Sequence, residues 1–246
     1  MSDALIKAVD LTIGWDRNVL QRDANFEVQR GDIFVILGGS GCGKTTMMRH
    51  MVGLETPLSG HVLIDGKPPS VEVGRPSHGV MFQSGALLGS MTLGENVALP
   101  LMSWTDLSRE AISAIVQAKL RLVGLHGCED KMPSELSGGM KKRAGIARAM
   151  ALEPELLFLD EPSAGLDPVT AYELDELILA LNRSMGLTFV VVTHDLDSIF
   201  KIGTRCIMLD RESMSIIAQG DPRELRDNSD DPRVRSFFNR TGKEAA

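Results

Sequence analysis

Aromatic side chains are scarce in this sequence: eight Phe, two Trp and one Tyr make up 4% of 246 residues. Cysteine is scarcer still. Cys42, Cys128 and Cys206 form no CxxC spacing, which argues against a zinc site and a disulfide framework and for a reducing compartment. Positive charge is in deficit, since 26 Lys and Arg face 33 Asp and Glu for a net charge of −7. That is the wrong sign for a chain whose main task is to coat nucleic acid. Long apolar runs are also missing. Runs such as residues 33–37 and 189–192 fall far short of the roughly 18 residues a membrane helix needs. The opening MSDALIKAVD has neither the basic start nor the apolar stretch of a secretory signal. No internal repeat or low-complexity segment is visible. What remains, 43% hydrophobic and 24% charged residues, is ordinary globular composition. At this length it suits a single compact unit with two lobes, and any service to a membrane must run through a partner.

Residues 5–37 alternate apolar and polar side chains, as in Leu5 to Leu11 and Phe26 to Gln29, the period-2 signal of half-buried strands. Residues 33–37 are continuously apolar, like a central strand covered on both faces. A glycine-rich turn and a short helix from Thr45 to Met51 follow. Residues 61–64 then read as a strand entering the tight turn Asp65-Gly66. Between about 84 and 150 the spacing becomes helical. Ser108 with Glu110 marks a helix start, and Ile112, Ile115, Val116 and Leu120 one apolar face. Residues 156–159 return to a buried strand, and Asp167-Pro168 supplies a cap and a first-turn proline. Residues 188–192 form another apolar strand, with short strands at 205–209 and 215–219. Strand, helix and buried strand in alternation imply an α/β fold, a largely parallel sheet covered by helices, with the helical stretch inserted. The tail after about Asn228 reads as polar and loosely packed.

Gly38-Gly39-Ser40-Gly41-Cys42-Gly43-Lys44-Thr45 satisfies G-x-x-x-x-G-K-[ST] between an expected strand and an expected helix. Its glycines let the backbone N–H groups wrap an anion, and the helix N-terminus adds its positive end. Lys44 is placed to reach β- and γ-phosphates and the Thr45 hydroxyl to bind magnesium, with Thr46 beside it. Asp160, at the end of an apolar strand, stands where a carboxylate that binds magnesium directly or through water belongs. Glu161 is the candidate to polarise the attacking water. Cys42 could act as a redox brake, because a helix N-terminus lowers a thiol pKa. Burial under nucleotide opposes that, and a tolerated small residue is the better reading.

Such loops serve many NTPases; Leu136-Ser137-Gly138-Gly139-Met140 narrows the class, because it resembles the signature motif of ABC-type ATPases. Ser137, Gly138 and Gly139 open a basic helix and form a second anion cradle. The resemblance covers about residues 3–225 and implies a P-loop NTPase core of ABC type, with an antiparallel β subdomain and an inserted helical subdomain at about 84–150. It also implies a head-to-tail dimer around two ATP–Mg2+ units, each signature closing over the nucleotide of the other copy. By the same resemblance Gln83 senses the γ-phosphate and magnesium, and His194 contacts the γ-phosphate. Residues 163–167 form the D-loop that crosses the interface, and Trp15 stacks on adenine. Tyrosine is commoner at that last position, and a packing tryptophan is the alternative.

Residues 82–88, 95–101, 132–143 and 231–238 are similar to the Mla-type ATPases, which work with an MCE-domain protein and a permease in lipid trafficking. Met140, where most ABC proteins carry glutamine, is the most distinctive departure. The resemblance implies integral permease subunits, an MCE-domain protein and a small regulatory subunit as partners, no nucleic acid, and a peripheral place on the cytoplasmic face of the bacterial inner membrane. In those relatives a tail like residues 226–246 continues into a longer extension. Residues 84–88, small and apolar, read as a docking surface for a permease coupling helix or as core packing of the inserted lobe. Two rivals stay open: an ABC ATPase moving another solute, and one acting on a soluble scaffold.

Overall fold

The computed structural model describes residues 4–15, 18–69, 76–83 and 85–239. The chain divides into two compact units, residues 1–70 with 190–246, and residues 71–189.

The first unit opens with β1 (Ala4–Trp15) and β2 (Asn18–Gln29), an antiparallel pair from Ala4 opposite Gln29 to Trp15 opposite Asn18. β3 (Ile33–Gly38) is buried at every position, as its unbroken apolar run demands. The chain turns directly into α1 (Lys44–Met51), which buries Thr46, Met47, Met48, His50 and Met51. β4 (Ser59–Ile64) then adds to β1, giving a three-stranded antiparallel sheet in the order β2-β1-β4.

In the second unit β5 (His78–Met81) runs parallel to a later strand, β6 (Leu156–Asp160). Between them lie α2 (Leu93–Trp104), α3 (Arg109–Leu122), a 3-10 turn (Pro133–Glu135) and α4 (Gly138–Ala149). α2 starts with a capping box, Thr92 accepting from the Glu95 N–H and Glu95 from the Thr92 N–H. Asn96 is fully buried beside it. Its amide donates to the carbonyls of Leu88, Met91 and Thr92, and its Oδ1 accepts from the Leu88 N–H. A buried amide with all its groups matched fixes the loop before α2. On α3 the buried positions are Val116, Lys119 and Leu120, with Ile112 and Ile115 only half-buried. Lys119 pairs with Glu153 at 2.9 Å. α5 (Pro168–Met185) starts on the Asp167 cap, and β7 (Thr188–Val192) carries the chain back towards the first unit.

There α6 (Leu196–Ile202) leads to β8 (Arg205–Asp210), which lies parallel to β3 from Arg205 opposite Phe34 to Leu209 opposite Gly38. β9 (Ser215–Gly220) returns antiparallel on β8. Two short helices end the described chain, α7 (Pro222–Asn228) and α8 (Pro232–Phe238), each capped by an aspartate with proline in the first turn.

α8 corrects the expectation of a loosely packed tail. Val234, Phe237 and Phe238 are buried in one cluster with Val35, Leu37, Ile199, Cys206 and Met208. The two phenylalanine rings meet edge to face at 5.4 Å. Arg233 holds the helix start in place, donating to Asp231 and bridging to Asp210 at 3.1 Å. A polar outer face had masked an apolar inner one. Val234→Ala is expected to cost about 1.5–3 kcal/mol of stability, read as a lower denaturation midpoint, whereas a detached tail would show no change.

Candidate nucleotide site

In the first unit the glycine loop joins β3 to α1. Gly38 stands at φ +143°, and a Cβ there would lie 2.4 Å from the Leu209 carbonyl oxygen and 2.6 Å from Cys42 Sγ. Only glycine lets the loop turn so close to β8. Gly43 precedes α1 in the left-handed region, φ 100°. α1 has no side-chain cap and no acid in its first turn, whereas the seven α-helices from α2 to α8 each have a side-chain cap. A helix start without a capping side chain is the kind of end at which an anion is favourable. Lys44 Nζ donates to the Gly38 and Gly39 carbonyls at 2.9 and 3.0 Å. Ser40 and Gly41 are exposed, and Cys42 is buried with its thiol turned towards Gly38. Burial pushes that thiol pKa up despite the neighbouring Lys44, which removes the thiolate a redox brake needs. Thr45 is half-buried and Thr46 buried. Trp15 ends β1 with 48% of its surface exposed. His194 is exposed between β7 and Asp195, the cap of α6.

In the second unit Asp160 closes β6 and is buried. Glu161 follows at φ 48°, a left-handed conformation uncommon for a residue with a side chain. Gln83, just past β5, is exposed. One ammonium joins the two segments: Lys142 Nζ, from α4, donates to the Glu161 carbonyl at 2.9 Å and also to the Gln83 carbonyl. Burial draws the Lys142 pKa down, and the Glu161 and Asp160 carboxylates pull it back up. Ser137 caps α4, its hydroxyl accepting from the Met140 N–H at 3.3 Å. Gly138 is exposed, and a Cβ on Gly139 would meet Thr170 Cγ2 at 2.4 Å. Asp167 accepts from the Val169 and Thr170 N–H groups and from the Thr170 hydroxyl, bonds that hold its carboxyl pKa down, the Thr170 hydroxyl bond first among them.

Among the described residues no group of three or more His, Cys, Asp or Glu could cage a metal ion. The Thr45 hydroxyl in the first unit and the Asp160 carboxylate in the second are each the hard oxygen donor that magnesium takes.

The model of the ABC transporter family matches residues 21–164. The chain belongs to the ABC transporter family. It is 43% identical over 218 residues to the intermembrane phospholipid transport system ATP-binding protein MlaF of Escherichia coli, covering 86% of this chain and 80% of that protein. It is 39% identical over 240 residues to the probable ribonucleotide transport ATP-binding protein mkl of Mycobacterium leprae, covering 95% of this chain and 68% of that one. Among solved structures, cbiO1 of Clostridium perfringens, part of an ABC transporter complex, matches with a TM-score of 0.81 at 30% identity, over 91% of this chain and 90% of that one. A dimeric post-hydrolysis state of the ATP-binding cassette MJ0796 with ADP and phosphate matches with a TM-score of 0.77 at 29% identity, over 88% and 98%. The fold is that of an ABC ATPase cassette, and its activity is ATP hydrolysis.

Two polar residues of this ABC ATPase escaped the sequence reading. Gln21 on β2 is fully buried, and its Nε2 donates to the Cys42 and Asp210 carbonyls, both at 2.9 Å. It thus ties the glycine loop to β2 and to the end of β8. The available signal was an amide among strand positions that bury Ala24, Phe26 and Val28. Lys142 is the other, concealed within a run of basic residues. The segment expected to dock a permease is divided. Ser84 lies outside the described residues, Gly85 is buried, and Arg148 donates to the Gly85 and Ala86 carbonyls at 3.1 and 2.7 Å. Leu88 is 44% exposed. The Gly85–Ala86 stretch is pinned to α4, and Leu88 is the apolar side chain it offers outward.

Proposed function

We propose that two copies of this ABC ATPase close head to tail on two ATP–magnesium units and thereby drive a permease that moves phospholipid in a bacterial envelope. The observation that carries the cargo is the 43% identity to MlaF across 86% of the chain. The observation that supports the nucleotide site is the uncapped start of α1 behind a glycine loop shaped by Gly38 and Gly43.

Under this reading the loop N–H groups from Gly39 to Thr46 and the Lys44 ammonium hold the β- and γ-phosphates, and Trp15 stacks on adenine. Thr45, Asp160 and Gln83 would hold magnesium, which neutralises charge on the β- and γ-oxygens. Glu161 accepts a proton from the water that attacks the γ-phosphorus as the bond to the bridging oxygen breaks, leaving ADP. His194, and Ser137, Gly138 and Gly139 of the second copy, stabilise the charge that spreads over the γ-oxygens. Closure pulls on the permease, and release of phosphate reopens the pair. The ATPase lies on the cytoplasmic face of the inner membrane, held by permease subunits, with an MCE-domain protein and a small regulatory subunit in the same assembly.

The 39% identity to the mkl protein favours a second reading, in which the cargo is a ribonucleotide. Isolation of the chain from solubilised membranes with its co-expressed chromosomal neighbours separates the two. Recovery of a polytopic permease, an MCE-domain protein and bound phospholipid supports the first. A permease carrying ribonucleotide overturns the cargo and keeps the transporter, and a soluble partner alone overturns transport.

A further inference from the structure

We propose that Lys142 is a positioning residue that locks the backbones of Gln83 and Glu161 to the signature helix through one ammonium group. The inference rests on the reading of Gln83 as nucleotide sensor and Glu161 as water-activating base given above. Lys142, Gly145 and Arg148 recur at intervals of three on α4 and so share a face. That face lies against Gln83, Gly85 and Ala86. Lys142 donates to the Gln83 carbonyl, and Arg148 to those of Gly85 and Ala86. A Cβ on Gly145 would stand 3.2 Å from Gly85 Cα and 2.9 Å from Met81 Cγ. Packing alone calls for an apolar side chain at residue 142, because a buried ammonium carries a desolvation cost that an apolar chain of equal length avoids. The ammonium does something an apolar chain cannot: it also reaches the Glu161 carbonyl at 2.9 Å.

Glu161 needs such a hold. Its backbone stands at φ 48°, a conformation that persists only where the surroundings over-determine it. The bond to the Glu161 carbonyl therefore helps to fix where its carboxylate points. Lys142 lies about one turn beyond the Ser137 cap of α4. A displacement of the signature, which closes on the other copy's nucleotide, is passed by this side chain to the two residues that act on the chain's own nucleotide.

The test compares Lys142→Met, Lys142→Arg and Glu161→Gln in the full chain, with steady-state ATPase kinetics, equilibrium binding of a fluorescent ATP analogue and thermal melting. Lys142→Met is expected to lower kcat about ten- to a hundredfold, since small misplacements of a reacting group act on the chemical step. Analogue affinity should stay within about twofold, because the phosphate loop is untouched. Lys142→Arg, which keeps the donors, should restore most of kcat. If Lys142→Met keeps wild-type kcat while Glu161→Gln is inactive, the link is overturned and the reading of Glu161 stands. Loss of kcat in both Lys142 variants in proportion to lost folded protein also overturns it. If Glu161→Gln keeps wild-type turnover, the underlying reading fails and the link with it. Should Lys142→Met not fold, Lys142→Leu, which also lacks a donor, replaces it with the same expected loss, and wild-type kcat in that variant overturns the proposal.

Discussion

Glu161→Gln is expected to bind ATP as the parent does and to hydrolyse it about 10²–10⁴-fold more slowly, the usual contribution of a positioned general base. The substitution keeps the size of the side chain and its capacity to orient a water, and removes only its basicity. The carboxylate also helps to keep the Lys142 ammonium charged, a task that Asp160 shares and retains in the variant. The Glu161 carbonyl, which accepts from Lys142 and from the Ala164 N–H at 3.2 Å, belongs to the backbone. The left-handed φ of 48° is equally open to glutamine and glutamate. Folding and nucleotide affinity should therefore be unchanged, while chemistry stops with the nucleotide enclosed. On a sizing column the variant should run as a dimer with ATP and return to its resting state without it. The check is the ratio of turnover to affinity. If turnover survives with normal affinity, the base lies elsewhere.

How much of this was legible in the sequence depends on where each constraint resides. The glycine loop could be read because its shape lies in backbone conformations: Gly38 and Gly43 stand where a side chain would clash or be strained, so spacing alone records the geometry. β3, β6 and β7 could be read because strands buried on both faces leave unbroken apolar runs. α3 could be read only in part. Its start on Ser108 was clear, but its buried face takes in Lys119, whose partner Glu153 lies 34 residues further on. No local period contains that information. α7 and α8 were missed although Asp221-Pro222 and Asp231-Pro232 repeat the Asp167-Pro168 start that had been recognised. Val234, Phe237 and Phe238 also stand at helical spacing, but the Asp and Arg residues before and among them lowered the local hydropathy. Gln21 and Lys142 were hidden for a different reason. Each is polar, buried and matched to backbone carbonyls of distant segments, and only a tertiary structure distinguishes that from a solvated side chain.

Lys44→Ala should abolish nucleotide binding at concentrations that saturate the parent, and the free structure explains why the loss exceeds that of one contact. An ammonium has three N–H donors. Two are given to the Gly38 and Gly39 carbonyls, which holds the loop turned over its own lysine. A phosphate oxygen can take the third, or displace a carbonyl, and gain a charge-assisted bond in a site already shaped for it. Alanine removes the loop bonds and the phosphate bonds together. At about 1.5–3 kcal/mol for each charged hydrogen bond, two such bonds to phosphate correspond to roughly a thousandfold in affinity. The fold should survive, because β3 and the buried face of α1 do not use the ammonium. Calorimetric titration of ATP into a variant with a parental melting temperature isolates the effect. A melting temperature that falls in step with affinity would move Lys44 from ligand binding to loop architecture. The sign of the charge gives a second handle: Lys44→Met, apolar and of similar length, should bind as poorly as alanine, since length without charge neither bridges the two carbonyls nor meets a phosphate.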